Sequence, residues 1–165
     1  MSKQFRLGEV RRRPQLRSTG FIRMSIKLIV AGSRSLDSID EQYLEEDGRR
    51  VVARAIVGLC SFERRDVSAV LSGTASGPDE WGEAWADGLS SVNCHLRPAD
   101  WDQHGRAAGP IRNKEMAREA DALLAFFDGK SAGTQNMITE AKKAGLDVTI
   151  ARMDEESKMR ALLGQ

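Results

Sequence analysis

The sequence is poor in the residue types that build metal centres and disulfide frameworks. It has two histidines and two cysteines among 165 residues, and Cys60 and Cys94 stand far apart without CxxC spacing. HxH, HExxH and mixed Cys/His clusters are absent as well. We therefore expect no catalytic metal, and we expect free thiols in a reducing, cytoplasmic setting.

Long apolar runs are also missing, since no stretch approaches the length that spans a membrane. Hydrophobic residues make up 41% of the chain and charged residues 30%, which is ordinary for a soluble globular protein. A chain of 165 residues is long enough for one domain with a core and short for two. We expect one domain over residues 24–153, a short helical tail at 154–165 and no membrane partner.

Acidic residues are scarce in the first 23 positions, which hold seven of the 25 lysines and arginines but one of the 24 acidic residues. The remainder has 18 basic against 23 acidic residues, so its mildly negative charge argues against general polyanion binding by the domain. Residues 1–23 show no helical or strand periodicity, and we expect a disordered basic arm. Three explanations stay open: a tether for single-stranded nucleic acid, an organelle-type presequence, or a native start at Met24.

Short apolar, β-branched runs alternate with segments of helical periodicity. This alternation predicts an α/β fold, a Rossmann-like doubly wound parallel sheet of five strands in the order 3-2-1-4-5 with helices on both faces. In that order, strands one, two and four end at one crevice. The predicted strands are 26–31, 67–71, 92–96, 122–127 and 148–153; the predicted helices lie around 51–59, 81–85, 111–119 and 135–144, and 97–110 is predicted to be rich in turns.

The turn after the second predicted strand has the composition of an anion site. Its two glycines can take positive φ and allow a close approach to the backbone, its hydroxyls face the same mouth, and Pro78 suits the first position of a helix. A phosphate is the expected ligand, and the alternative is that the turn is a tight strand-to-helix connection that binds nothing. The candidate residues are Ser72, Gly73, Thr74, Ser76 and Gly77.

Two further turns end at the same predicted crevice. Neither has the GxxxxGK[ST] frame of a Walker ATPase, and the GxGxxG dinucleotide fingerprint is absent. They still offer N–H groups, hydroxyls and an ammonium to a phosphate, although a solvated lysine is the plain alternative for Lys130. The candidates are Gly32, Ser33 and Arg34 after strand one, and Lys130, Ser131, Gly133 and Thr134 after strand four.

Arg112 and Asn113 follow Gly109-Pro110 at the start of a predicted helix. A guanidinium there can make a bidentate contact with phosphate or carboxylate, and the neighbouring amide can read a ribose or base edge, while a surface salt bridge is the alternative. Trp101 is predicted on a loop, where its indole either stacks on a base or packs as a lid on the domain.

Two tryptophans and three carboxylates complete the candidates; one of these carboxylates, Asp128, follows the fourth predicted strand and is a candidate for acid chemistry. Trp81 and Trp85, four residues apart on a helix, are assigned to the core or a subunit interface, and we expect a homo-oligomer. Asp79 lies in a first helical turn, where a carboxylate is favoured whatever the function. Glu140 lies on the fourth helix beside Lys143 and can simply face solvent. Asp79 and Glu140 are the catalytic candidates if the protein is an enzyme.

The motifs together resemble the YspA-like branch of the SLOG superfamily, over roughly residues 26–151. They are Gly32-Ser-Arg34, Ser72 to Asp79, Ala99-Asp-Trp-Asp, Ala108-Gly-Pro-Ile-Arg-Asn113 and Ala125 to Thr134. SLOG domains are Rossmann-like modules related to DprA, which binds single-stranded DNA, and to the LOG phosphoribohydrolases. The resemblance implies a nucleotide or nucleotide-derived ligand in the crevice, and no other cofactor is expected.

The resemblance leaves three functions open. The first is binding or sensing of a nucleotide-type ligand. The second is hydrolysis of an N-glycosidic bond in a nucleotide or NAD-like substrate, although the PGGxGTxxE motif of the LOG enzymes is incomplete: Gly133-Thr134 matches, but Met137 stands at the glutamate position. The third is single-stranded nucleic-acid binding of the DprA type, helped by the basic arm, although the acidic body lacks a basic stripe.

Overall fold

A computed structural model describes residues 25–36 and 41–153, and these contain five strands and five α-helices. The predicted arm at 1–23 and the predicted tail at 154–165 lie outside the described residues. None of the described helices combines the length and the apolar composition needed to cross a membrane. In chain order, the elements are β1 Ile26–Gly32, α1 Glu41–Leu59, β2 Val67–Ser72, α2 Pro78–Asp87, β3 Asn93–Leu96, α3 Trp101–His104, α4 Ala108–Glu119, β4 Ala122–Phe127, α5 Ala132–Ala144 and β5 Asp147–Arg152.

The five strands form one parallel sheet in the order β3-β2-β1-β4-β5, which confirms the predicted fold class and strand order. β1 pairs with β2 on one side and with β4 on the other. Every residue of β4 is buried, as expected for a central strand covered on both faces. The carboxyl ends of β1, β2 and β4 therefore lie side by side at one edge of the sheet.

Alternate residues of β1 face two separate apolar layers. Leu28 and Val30 belong to the core shared with α1 and α2, whereas Ile29 and Ala31 belong to the core shared with α4 and α5. This period of two is what a strand between two helix layers requires. The tryptophans predicted for the core or an interface, Trp81 and Trp85, are both buried in the first layer, and Trp81 packs edge-on against Phe126.

Three predicted helix starts and one predicted loop are wrong. α1 begins at Glu41, ten residues before the helix predicted around 51–59. Asp100 caps α3 by accepting a hydrogen bond from the Gln103 N–H, so Trp101 begins a short helix inside the segment predicted to be turns. α4 begins at Ala108 and not at residue 111; Pro110 is tolerated because the N–H groups of a first helical turn have no intrahelical partner. α5 begins at Ala132 and not at residue 135, since the Ser131 hydroxyl caps it.

Candidate functional site

The carboxyl end of β1 is joined to the turn after β4 by one carboxylate. Asp128 Oδ1 accepts hydrogen bonds from Ser33 Oγ at 2.9 Å and from the Lys130 and Ser131 N–H groups at 2.8 and 2.9 Å. Its Oδ2 accepts from Ser35 Oγ at 2.7 Å. The Ser35 hydroxyl is the largest of the causes that hold the pKa of Asp128 below its usual range, and the two N–H groups and Ser33 add to it. These donors, expected to serve a phosphate, are used within the protein.

The first turn of α5 keeps two N–H groups without a protein acceptor. Ser131 Oγ accepts from the Thr134 N–H at 3.4 Å and from Thr134 Oγ1 at 3.1 Å. In the described part of the chain, nothing accepts from the N–H groups of Ala132 and Gly133, and both residues are exposed. A Cβ at Gly133 would have no atom within 4 Å. The start of α5 therefore offers an open position with two donors and the positive end of a helix dipole.

The turn after β2, by contrast, uses its N–H groups internally. The Thr74 N–H donates to Ser72 Oγ at 3.0 Å, and the Ala75 N–H donates to Asp79 Oδ2 at 3.3 Å. The Gly77 N–H donates to a carboxylate in the first turn of α2. We expected these amides to cradle a phosphate, but the acidic residues that begin α2 reach back to them.

The backbone of this turn also differs from the expectation at one glycine. Gly77 has the predicted positive φ, 84°, but the second positive φ, 60°, belongs to Thr74 and not to Gly73. Gly73 is needed for space instead, because a Cβ there would lie 1.9 Å from Arg112 Nη1. Gly32 is also a residue of close approach, since its Cβ would lie 2.5 Å from the Phe126 carbonyl oxygen and from Pro78 Cγ.

Arg112 is the residue that reaches across to the β2 turn. It stands in the second turn of α4, and its Nη1 donates to the Gly73 carbonyl and, at 3.3 Å, to the Arg97 carbonyl. Its Nε donates to Asn113 Oδ1 at 3.0 Å. Nη2 has no partner among the described residues, and because no buried side-chain nitrogen there is unpaired, Nη2 has access to solvent. The guanidinium therefore offers a ligand one nitrogen and not the predicted bidentate fork.

Asn113 is 6% exposed and lies between α4 and α5. Besides accepting from Arg112 Nε, it donates from Nδ2 to the Gly133 carbonyl at 3.3 Å and to Asn136 Oδ1 at 2.9 Å. Both amide hydrogens are thus used by the protein. The expectation that this amide reads a ribose or a base edge does not agree with its contacts.

Two carboxylates of α2 lie beneath the same turn. Asp79 is 4% exposed, and burial raises its pKa to about 6, although the Ala75 N–H and Arg112 limit the rise. Glu83, one helical turn further on, accepts a hydrogen bond from Ser72 Oγ and also raises the pKa of Asp79. A carboxyl that titrates near neutral pH thus lies next to Arg112.

Three other candidate side chains are exposed at this edge. Arg34 and Lys130 have no side-chain hydrogen bond or ion pair within the described residues, and Arg34 is close enough to lower the pKa of Arg112, after burial as the main cause. Trp101 is 53% exposed. Its Cη2 would lie 3.4 Å from a Cβ at Gly109, so the indole lies over the first turn of α4. Ser76 is half-buried, and no contact links it to this group.

Glu140 does not lie with the other candidate residues at the carboxyl edge of the sheet. It lies in the third turn of α5 and pairs with Lys143 at 2.9 Å. Seven residues separate it from Gly133, which is about 10 Å along the helix axis at about 1.5 Å per residue. Of the two carboxylates named as catalytic candidates, only Asp79 lies at the crevice.

Comparison with known proteins gives the chain one relative with a description. No family model matches it. The gene 61 protein of Mycobacterium phage D29 is 43% identical in an alignment of 84 positions, and the match covers 48% of this chain and 67% of the phage protein. The chain belongs to the family of this phage protein. The name of the D29 protein specifies neither a ligand nor a reaction.

The site of this gene 61 family member also includes residues that were not among the sequence candidates. Glu83 lies four residues after Asp79, so its position had a signal in the sequence. Asp128, by contrast, was named from the sequence as a candidate for acid chemistry, and it directly follows β4. Asn136 lies one turn after Gly133 on the same face of α5. In the described ranges, no group of His, Cys, Asp and Glu has the arrangement of a metal site. The chemistry available is anion binding beside one carboxyl of raised pKa.

Proposed function

We propose that the protein binds a nucleotide or nucleotide-derived ligand at the carboxyl edge of the sheet. Its phosphate would lie between Arg112 Nη2, Arg34 and the N–H groups of Ala132 and Gly133. The observation that carries the proposal is Arg112 itself: its other nitrogens are held by the protein, and the one that remains faces solvent. The resemblance to YspA-like SLOG domains agrees with this choice of ligand.

The electrostatics of the two arginines support an anion over a neutral ligand. Arg112 is partly buried, and burial and the charge of Arg34 lower its pKa, an effect that the carboxylate of Asp79 offsets only in part. A phosphate close to both guanidinium groups offsets these costs with charge-assisted hydrogen bonds. The dipole of the 13-residue α5 acts in the same direction.

Trp101 supports a nucleotide over a simple phosphate. Its indole is 53% exposed although it is large and apolar. It lies over Gly109 in the first turn of α4, and Gly109 precedes Arg112 by three residues. Aromatic rings in such positions stack on bases at a gain of about 1 to 3 kcal/mol per base.

Calorimetric titration with AMP, ADP, NAD⁺, adenosine and inorganic phosphate tests the proposal. We expect phosphorylated nucleotides to bind, and adenosine to bind more weakly. Arg112→Gln should weaken binding of AMP by about 1.5 to 3 kcal/mol, the worth of a hydrogen bond to a charged group. Arg118→Gln, on the exposed side of the same helix, is the matched control. Absence of binding across the panel, or equal affinity of Arg112→Gln and wild type, refutes the proposal.

Asp79 favours one second candidate, hydrolysis of the N-glycosidic bond of the bound nucleotide. Its pKa of about 6 suits a general acid, which would give a proton to the departing adenine of AMP while water adds to the sugar carbon and returns a proton to the carboxylate. The nicotinamide of NAD⁺ leaves as a neutral base and needs no such proton. Chromatography of AMP and NAD⁺ after incubation at high protein concentration decides this. Release of adenine from AMP by wild type and not by Asp79→Asn supports hydrolysis with Asp79 as the acid; no release of adenine or nicotinamide by wild type leaves binding alone.

A further inference from the structure

Asn113 makes contacts that fix both its own orientation and that of its neighbour. Arg112 Nε can only donate, so the amide oxygen of Asn113 must face it; the Gly133 carbonyl can only accept, so the amide nitrogen must face α5. The assignment of the two amide atoms is therefore set by chemistry. Asn136 Oδ1 takes the remaining amide hydrogen, which leaves Asn113 no donor for a ligand.

The contact between Arg112 and Asn113 is unusual for consecutive helical residues, whose side chains normally diverge. The guanidinium turns back along α4, and it is held at both ends: at Nε by Asn113 and at Nη1 by the Gly73 carbonyl. A planar group held at two nitrogens has its plane and its third nitrogen fixed. The direction of Nη2 therefore depends on the oxygen of Asn113.

The nitrogen of the same amide holds the first turn of α5. It donates to the carbonyl of Gly133, the residue whose own N–H is one of the two open donors of the helix. One buried side chain thus connects the open nitrogen of Arg112 with the open N–H groups of α5. A ligand phosphate that contacts both would meet donors whose separation is set in advance, which lowers the entropy cost of binding.

We propose that Asn113 is a positioning residue, which does not touch the ligand but holds Arg112 Nη2 and the start of α5 at the separation that a phosphate needs. This inference rests on the proposed function for the identity of the ligand. It assigns to Asn113 an effect that passes through Arg112, and that effect can be measured with and without nucleotide.

The first measurement uses the side-chain Nε–Hε resonance of Arg112 in ¹⁵N NMR of the full chain, assigned by its disappearance in Arg112→Gln. We expect Asn113→Ala to shift this resonance or broaden it by solvent exchange. Asn136→Ala removes one partner of the Asn113 amide nitrogen and leaves its oxygen in place, so the resonance should persist. An unchanged Arg112 resonance in Asn113→Ala overturns the inference. If circular dichroism shows that Asn113→Ala does not fold, Asn113→Ser, whose side chain has two heavy atoms fewer, takes its place.

The second measurement is a double-mutant cycle on the Kd for AMP, with wild type, Asn113→Ala, Arg112→Gln and the double variant. We expect Asn113→Ala to weaken AMP binding by about tenfold when Arg112 is present, but by less than twofold when it is added to Arg112→Gln. Equal losses in both backgrounds show a merely structural role and overturn the inference. Should wild type not bind AMP or any other nucleotide of the panel, the proposed function fails, and the NMR result alone decides whether Asn113 orients Arg112.

Discussion

Arg112 lies across Gly73, and its Nη1 donates to the carbonyl oxygen of that glycine. The guanidinium occupies the space that any side chain at residue 73 would need, since a Cβ there would lie 1.9 Å from Nη1. A helix of the second layer is therefore in direct contact with the turn that follows β2. The contact brings a positive charge to the turn that was expected to bind a phosphate.

Gly73→Ala should displace Arg112 and lower affinity for AMP by tenfold or more. We expect it also to destabilise the fold by about 1 to 3 kcal/mol, the usual cost of an added methyl group in a packed place. Gly58→Ala is the control: nothing lies within 4 Å of a Cβ there, so the change should stabilise α1 by about 0.5 to 1 kcal/mol. Urea unfolding and calorimetry measure both effects, and a Gly73→Ala variant that binds AMP as wild type does would contradict the assignment of Arg112.

Asp79 should make the protein less stable as pH rises through the mildly acidic range. Its pKa is about 6 in the folded protein against 3.8 for the free side chain, so the folded state binds more protons between these values. The free energy of unfolding therefore falls as pH rises from about 4 to 6. Asp79→Asn should remove this slope and be more stable than wild type at pH 7, by on the order of 2 kcal/mol.

Urea unfolding at pH 4, 5, 6 and 7 checks the behaviour of Asp79. Asp87→Asn, an exposed position on the same helix, should follow wild type over the whole range. Parallel curves for wild type and Asp79→Asn would show that the Asp79 carboxyl ionises in the folded protein as it does in water.

Asp128 should have the opposite pH dependence. Its folded-state pKa lies below the usual range, so its contribution is present above about pH 4 and is lost as pH falls toward the folded-state value. Asp128→Ala leaves the fully buried Ser33 hydroxyl without its acceptor and should cost about 1 to 3 kcal/mol at pH 7. Thermal unfolding measures the loss, with Asp102→Ala, an exposed residue of α3, as control. Equal melting temperatures for wild type and Asp128→Ala would remove Asp128 as the link between β1 and β4.

Trp101→Ala should separate recognition of the base from recognition of the phosphate. Because the indole is 53% exposed, its loss should leave the melting temperature nearly unchanged. Affinity for AMP should fall by about 1 to 3 kcal/mol, whereas any affinity for inorganic phosphate should stay the same. Trp101→Phe keeps an aromatic face and should retain most of the affinity. A fall in phosphate affinity as large as that for AMP would show that Trp101 shapes the anion site and does not stack on a base.

The strands and the two layers could be predicted because strand periodicity is present in the local sequence, whereas the strand order was predicted from the general topology of chains in which strands and helices alternate. The alternation of Leu28 and Ile29 between two cores and the buried run of β4 are direct consequences of strand periodicity. The start of α5 was missed because a polar side chain decides it. Ser131 was interpreted as a phosphate ligand, and the same hydroxyl is the cap that starts α5 three residues early.

The hydrogen-bond pattern of the site was harder to predict, because each polar group there can bond either to the protein or to a ligand. Asn113 was expected to face a ligand, and its three partners come from residues as far away as Asn136. The amides of the β2 turn were expected to be open, but Asp79 accepts from one of them. Acidic residues in the first turn of a helix are a known capping signal, so this exchange could have been found in the sequence. The position of Arg112 over Gly73 depends on tertiary packing and could not have been found in the sequence.

α2 packs close to the sheet because two of the residues at this contact are glycines. Gly32 lets Pro78 approach the end of β1, and Gly82 lies where a Cβ would be 2.6 Å from Val30 Cβ. A methyl group at either position would push α2 outward from the sheet, and with it the end of the β2 turn that leads into Pro78, the first residue of the helix. Alanine at 32 or 82 would thus change the dimensions of the binding crevice without replacing a single group that lines its polar surface.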